Sequence, residues 1–155
     1  MEKPEPRQLK AEVLVPYEVA VGRTWSKFYD ALKNERILGT KCGKCRRVFV
    51  PPRTFCPRCF QEMEEWVEVG QEGVVETWVL VNMPFYGQRL EIPFVSAEIR
   101  LDGSDTGFMH RIAGFNLSDL ALVREKVKLG SRVSAVWSEE KEGCILDIDH
   151  FKPVQ

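Results

Sequence analysis

Four cysteines dominate the chemistry this chain can offer. Cys42 and Cys45 form one Cys-x-x-Cys pair, Cys56 and Cys59 form a second, and ten residues separate the pairs. Four thiolates at this spacing can reach the corners of a tetrahedron, the arrangement a structural zinc ion takes with Zn–S distances of about 2.3 Å. The spacing predicts a zinc ribbon. Two disulfides or a redox pair are the competing chemistry. A thioredoxin-type pair stands alone at a helix start, whereas here there are two, each beside Gly, Pro or basic residues that suit tight turns. The opening residues hold no apolar run of the kind a secretory leader carries, so the expected compartment is the cytoplasm, where thiols stay reduced. Four cysteine ligands leave no open coordination position, so the metal is expected to hold a fold and do no chemistry.

Other reactive side chains are sparse. Two histidines occur. His110 falls inside a predicted strand, between Met109 and Arg111, where a structural role is the simpler reading, and His150 stands beside Asp149. Cys144 is placed at the head of the last predicted strand. Six residues separate it from His150, about 20 Å along an extended chain, too far for a dyad. No Gly-rich phosphate loop of the Walker or Rossmann type is present. The carboxylates are spread over turns and solvent faces with no pair in an apolar setting, so catalysis by this chain alone is not expected.

A frame must carry the cysteines. With 155 residues, 44% hydrophobic and 29% charged, the composition is that of a folded globular chain, and no run approaches the roughly 20 apolar residues of a membrane helix. The net charge of −1 conceals an asymmetry. Residues 36–60 contain seven basic side chains and no acidic one, so the remainder carries −8. Four thiolates and one zinc ion add −2, which leaves the ribbon near +5. Such a face suits an anionic ligand or an acidic partner surface, and equally a small knuckle whose surface is simply solvated.

Residues 1–18 hold three prolines and scattered charge, which predicts an extended arm. Thr24 is expected to cap a short helix reaching about residue 34, with Trp25, Phe28 and Leu32 on one side. Residues 36–40 and 48–50 read as strands flanking the first knuckle. Beyond the second, the pattern turns to strands: a long first one over 63–81 that Gly70 and Gly73 allow to bend, then 94–101, 107–115, 132–138 and 144–151. A helix over 116–128, capped by Ser118 or Asp119, interrupts after the third. Five strands with a helix between the third and the fourth predict an OB-fold barrel. The fold class is therefore mostly β, divided as an arm and helix over 1–35, a zinc ribbon over 36–62 and an OB-fold over 63–155. The loop over 82–91 is longer than a hairpin needs and mixes aromatic, Pro, Gly and Arg residues.

A helix, a four-cysteine ribbon containing Val-Phe-Val-Pro-Pro-Arg between its knuckles, and an OB-fold together resemble one family: the zinc-ribbon/OB-fold proteins associated with acyl-CoA enzymes, long catalogued as a domain of unknown function. The most specific stretch runs from Leu38-Gly39-Thr40-Lys41-Cys42 through Pro51-Pro52-Arg53 to Cys56-Pro57-Arg58-Cys59. Gly73 to Val81 and Lys128-Leu129-Gly130-Ser131-Arg132-Val133 are also similar. Where relatives place two glycines one residue apart, this chain has Gly70 and Gly73, which leaves a bulge in the first strand open. The resemblance implies a non-catalytic accessory subunit of a thiolase-type complex, forming a hetero-oligomer with a larger catalytic subunit, with zinc on the four cysteines and acyl-CoA as ligand. Benzoylsuccinyl-CoA thiolysis, sterol side-chain cleavage and mevalonate synthesis are candidate settings. The phosphorylated end of CoA calls for Arg or Lys and its thin arm for an apolar slot, so Arg46, Arg47 and Arg53 of the ribbon and Phe85, Tyr86 and Arg89 of the long loop are the candidate CoA contacts, the competing reading being solvated arginines with Phe85 and Tyr86 packed on the partner. The alternative is a single-stranded nucleic-acid binder. Charge disfavours it, since residues 61–155 carry nine basic against seventeen acidic side chains.

Overall fold

Strict alternation in Phe94–Leu101 decides which of its sides is buried: Val95, Ala97, Ile99 and Leu101 lie in the interior, while Phe94, Ser96 and Glu98 are only partly covered and Arg100 is exposed. The computed structural model describes residues 15, 17–85, 87–88 and 90–154. In chain order these form α1 (Arg23–Lys33), β1 (Leu38–Lys41), β2 (Val48–Phe49), β3 (Glu65–Glu68), β4 (Glu72–Val81), β5 (Phe94–Leu101), β6 (Gly107–Ile112), α2 (Leu120–Lys126), β7 (Arg132–Trp137) and β8 (Ile148–Pro153). The last five strands close into a barrel in the order β4-β5-β6-β8-β7, with α2 between the third and the fourth, as expected of an OB-fold. The first three form a separate sheet in the order β2-β1-β3.

The barrel must bend sharply at β4, and two local devices allow it. The register with β5 slips between Val75 and Thr77, a bulge at Glu76 that increases the local twist. At Gly73 a Cβ would stand 2.6 Å from the Arg100 carbonyl oxygen, so only glycine lets the two backbones approach this closely. The bend itself separates two strands. The expected long first strand is divided: β3 pairs with β1 from Leu38↔Glu68 to Lys41↔Glu65, and β4 pairs with β5 and β7. The expected boundary after residue 62 therefore precedes a strand that hydrogen-bonds to the ribbon.

Alternation in the short strand β2 explains how ribbon and barrel are joined. Val48 and Val50 point one way, into the main core with Val75, Ile99, Phe108 and Phe151 of the barrel. Phe49 points the other way, against Cys42, Cys56 and Met63. From α1, Phe28 and Leu32 also enter the main core and are fully buried, while Trp25 remains partly exposed. The turn between β5 and β6 then supplies what β2 lacks on its outer side. Asp105 accepts the Val48 N–H at 2.8 Å and donates its own N–H back to the Val48 carbonyl. The Thr106 hydroxyl accepts from the Val50 N–H and donates to the Val50 carbonyl, both at 2.9 Å. Backbone groups of a sheet edge are thus paired by a loop from the barrel.

Two expected details differ. Thr24 does not cap α1; Gly22 occupies the cap position without a side-chain bond, and the Thr24 hydroxyl instead meets that of Thr54 at 3.0 Å. Cys144 does not head a strand. It precedes a 3-10 turn over Ile145–Asp147, because the buried Asp147 carboxylate gathers the Glu142 and Gly143 N–H groups at 2.9 Å each and bends the chain before β8 begins. Asp119, one of the two residues anticipated, caps α2 by accepting from Ala121 and Leu122.

Candidate metal centre

The two knuckles repeat one backbone geometry. In the first, the Arg46 N–H donates to the Cys42 carbonyl at 2.8 Å and the Cys42 N–H to the Arg47 carbonyl at 2.9 Å. The second has the same two bonds, Phe60 to Cys56 and Cys56 to Gln61, at the same distances. Each chain turns back on itself by placing the residue after its second cysteine in the left-handed region, Arg46 at φ 64° and Phe60 at φ 54°. Glycine is the residue that adopts this without cost, so both knuckles are built on strained positions.

The geometry brings the four sulfurs of Cys42, Cys45, Cys56 and Cys59 within 4.8 Å of one another. Zinc–sulfur bonds of about 2.3 Å place tetrahedral sulfurs about 3.8 Å apart, and the Cys45 and Cys56 sulfurs are separated by 3.7 Å. The donor set fits zinc in kind, number and spacing. Four thiols this close cannot all ionise on their own charge. The Cys45 N–H holds Cys42 down to about 6, whereas burial and the neighbouring sulfurs push Cys59 up to about 12. A divalent cation eases that conflict by drawing all four thiolates to one positive centre. Around the sulfurs, Phe49 and Met63 form an apolar wall that limits water access.

Sequence reasoning missed the group that steadies the excursion between the knuckles. Thr40 is fully buried, and its hydroxyl donates to the Arg53 carbonyl and accepts the Arg53 N–H, both at 2.9 Å. A threonine facing inward from β1, two residues ahead of Cys42, was the available signal. Its effect is to fix the Arg53 backbone, while the guanidinium lies 5.9 Å from the Phe49 ring centre. Arg53 also lines a cavity of about 390 Å³ with Trp25, Pro51, Pro52 and Thr54.

Arg46 reaches Glu65 of β3 at 3.7 Å, and Phe85 is exposed on the β4–β5 loop. Tyr86 and Arg89 lie outside the described residues. No hydrogen bond or ion pair among the described residues joins the ribbon excursion to that loop. Both histidines are engaged. His110 stacks on Phe108 and meets Phe151 edge-on, and burial depresses its pKa. His150 Nδ1 is 2.5 Å from Asp149, whose carboxylate also takes the Arg111 guanidinium. The Cys144 sulfur contacts Asp147 at 3.8 Å, so cysteine and histidine serve different carboxylates.

Comparison with known proteins follows the same two halves. The ChsH2 rubredoxin-like zinc ribbon domain matches residues 30–64, and the ChsH2 C-terminal OB-fold domain matches residues 66–138. A DUF35 domain-containing scaffold protein of Methanocaldococcus jannaschii is 30% identical over 124 residues, covering 77% of this chain and 82% of that protein. A probable enoyl-CoA hydratase alpha subunit of Thermomonospora curvata is 24% identical over 151 residues; these are 97% of this chain but 44% of the relative, so the chain spans less than half of its length. Among solved structures, a chain of an Ltp2-ChsH2(DUF35) aldolase shares the fold with a TM-score of 0.65 at 23% identity, over 88% of this chain and 98% of that one. A DUF35-family protein of unknown function from Sulfolobus solfataricus gives a TM-score of 0.60 at 26% identity, over 85% and 84%. With a four-thiol ribbon followed by a closed five-stranded barrel, and with both halves matched in this order, the chain belongs to the DUF35 family of ChsH2-type zinc-ribbon/OB-fold proteins.

Proposed function

We propose that this chain is a non-catalytic accessory subunit of a thiolase-type acyl-CoA acyltransferase complex, where it helps assemble the complex and hold the acyl-CoA. One observation carries the reading: the chain's concentrated reactive groups, Cys42, Cys45, Cys56 and Cys59, converge as a closed four-thiol set with no position left for a substrate. A zinc ion held there would offset half of the thiolate charge and lock the knuckles, a structural contribution. The engaged histidines support the same reading, since neither offers a free base beside a nucleophile among the described residues. A relative named a scaffold protein and another named a probable enoyl-CoA hydratase alpha subunit support an accessory role beside an acyl-CoA enzyme.

Docking on the catalytic subunit falls to the segment ahead of α1. Val15, Tyr17, Val19, Val21 and Trp25 are exposed apolar side chains in and just after this stretch. Phe28 and Leu32 are consumed by the core and are not available. Arg46, Arg47 and Arg53, with Phe85, Tyr86 and Arg89, are the proposed contacts for the CoA ester, and a reducing compartment such as the cytoplasm keeps the thiols free for metal. No helix among the described residues is long and apolar enough to cross a membrane. Benzoylsuccinyl-CoA is one acyl-CoA that fits the scheme.

The test is reconstitution. The purified chain mixed with the thiolase-like subunit from the same host is expected to co-elute with it and to confer thiolysis that neither shows alone. Thiolysis by the chain alone at enzyme-like rates, or full activity of the larger subunit without it, overturns the reading.

A further inference from the structure

Charge is spread unevenly over the barrel half. Residues 61–155 carry nine basic and seventeen acidic side chains, yet four of those nine, Lys126, Lys128, Arg132 and Lys152, line a single cleft that one carboxylate, Glu125, borders. Several like charges around a concavity sum their fields there, so the cleft attracts anions although this half of the chain is acidic in sum. It has a volume of about 670 Å³, inside the range of roughly 300–1,000 Å³ that small ligands fill.

The walls differ in what they can offer. Arg132 is committed, because its guanidinium bonds Asp102 through two nitrogens and Glu72 at 2.8 Å, which keeps it charged and fixed. Lys126, Lys128 and Lys152 have no carboxylate within ion-pair distance among the described residues. Lys126 ends α2 and answers the exposed carbonyls of that helix. Lys128 and Lys152 lie beyond it and have no such duty. The Lys128 N–H donates to the Ser131 hydroxyl at 3.0 Å, which sets the turn that presents Lys128. Half-buried Phe115, with Pro153 and Val154, supplies an apolar side.

We propose that this cleft binds a small phosphorylated nucleotide, its phosphates among Lys126, Lys128 and Lys152 and its base against Phe115 and Pro153. Paired requirements argue for that class: lysines act as point-charge phosphate binders, and a planar base needs an apolar face. A nucleic-acid strand would need positive charge continuing beyond the cleft, where the barrel is acidic. The site does not rest on the subunit reading: the phosphorylated adenosine end of CoA is one source of such a ligand, and would then be held here in place of Arg46, Arg47 and Arg53, and a free adenosine nucleotide is another.

Calorimetric titration of the full zinc-loaded chain with adenosine 3′,5′-bisphosphate, ADP, adenosine and a short oligothymidylate tests it. Binding of the two phosphorylated probes and not of adenosine is expected, weakening with added salt. Lys128→Ala and Lys152→Ala should each weaken it roughly tenfold, the loss of one charge-assisted bond, with an unchanged circular dichroism spectrum. Preference for the bisphosphate assigns the cleft to the CoA end, and preference for ADP to a free nucleotide; both support the site. No binding of either phosphorylated probe, unchanged affinity in the double variant, or tighter binding of the oligonucleotide overturns it. Failure here leaves the reconstitution result untouched, and failure of reconstitution leaves this titration untouched.

Discussion

Single residues carry costs that the fold tolerates for a reason, and two can be measured. Phe60 sits in the left-handed region and is 86% exposed, so its ring loses little packing when removed. Phe60→Gly relieves a strain of about 1–2 kcal/mol, offset in part by glycine's greater freedom when unfolded, for a net gain of about 0.5 kcal/mol. Urea unfolding of the zinc-loaded chain should show the midpoint rise with an unchanged slope; a fall would mean that the ring contributes contacts in the folded state. His110 illustrates a different cost. Burial lowers its pKa from the ordinary value of 6.5, against weaker opposing effects that include Asp149, and Nδ1 has no hydrogen-bond partner among the described residues. The unfolded chain therefore binds more protons below pH 6.5, so this residue's contribution to stability is complete above that value and is lost as the pH falls through the window beneath it. His110→Phe should flatten the decline in melting temperature from about pH 7 to pH 5 and raise stability by about 1 kcal/mol by removing the unpartnered nitrogen. An unchanged slope would assign the acid sensitivity to other groups.

Elements with strong periodicity were legible in the sequence, and pairings were not. Val95, Ala97, Ile99 and Leu101 announce a strand because alternation is local, and the two Cys-x-x-Cys pairs announce knuckles because four thiols so spaced have few other uses. The sequence around β3 shows a strand but not its partner. Val67 pairs with Gly39, which lies 28 residues earlier, and no local pattern encodes that choice. Thr24 failed as a cap because Thr54, brought near by tertiary structure, competes for its hydroxyl. The 3-10 turn was hidden because Asp147 is a charged residue that the fold buries as a hub for backbone donors. At the level of one element, Gly73→Ala drives a Cβ toward the Arg100 carbonyl and the Leu101 Cα, both backbone atoms that cannot rotate away. A loss of about 2 kcal/mol or more is expected by thermal unfolding, from overpacking against an immovable neighbour. An effect near zero would mean that β4 can part from β5 at its bulge.

For the whole molecule, the division into ribbon and barrel is weaker in energetics than in sequence. Val48, Val50, Ile37 and Val69 from the ribbon side share one core with Phe108, Ile148 and Phe151 of the barrel, and α1 closes it. A ribbon that loosened alone would leave that core open. Cys45→Ser is therefore expected to release the metal and to lower the melting temperature of the entire chain in one cooperative transition. Two separate transitions, with the barrel unchanged, would show independent units.

The pairing of β2 by Asp105 and Thr106 has a further consequence for handling the protein. At the other border of that sheet, β3 presents Glu65 and Glu68, charges that discourage another strand from adding. Chelation that lets β2 drift from its clasp would bare Val48, Phe49 and Val50 together with their backbone donors and acceptors, a short β-branched and aromatic run without charge. Metal-stripped preparations should then turn cloudy on standing at a rate that climbs with concentration, and zinc added before the haze, rather than after it, should keep them clear.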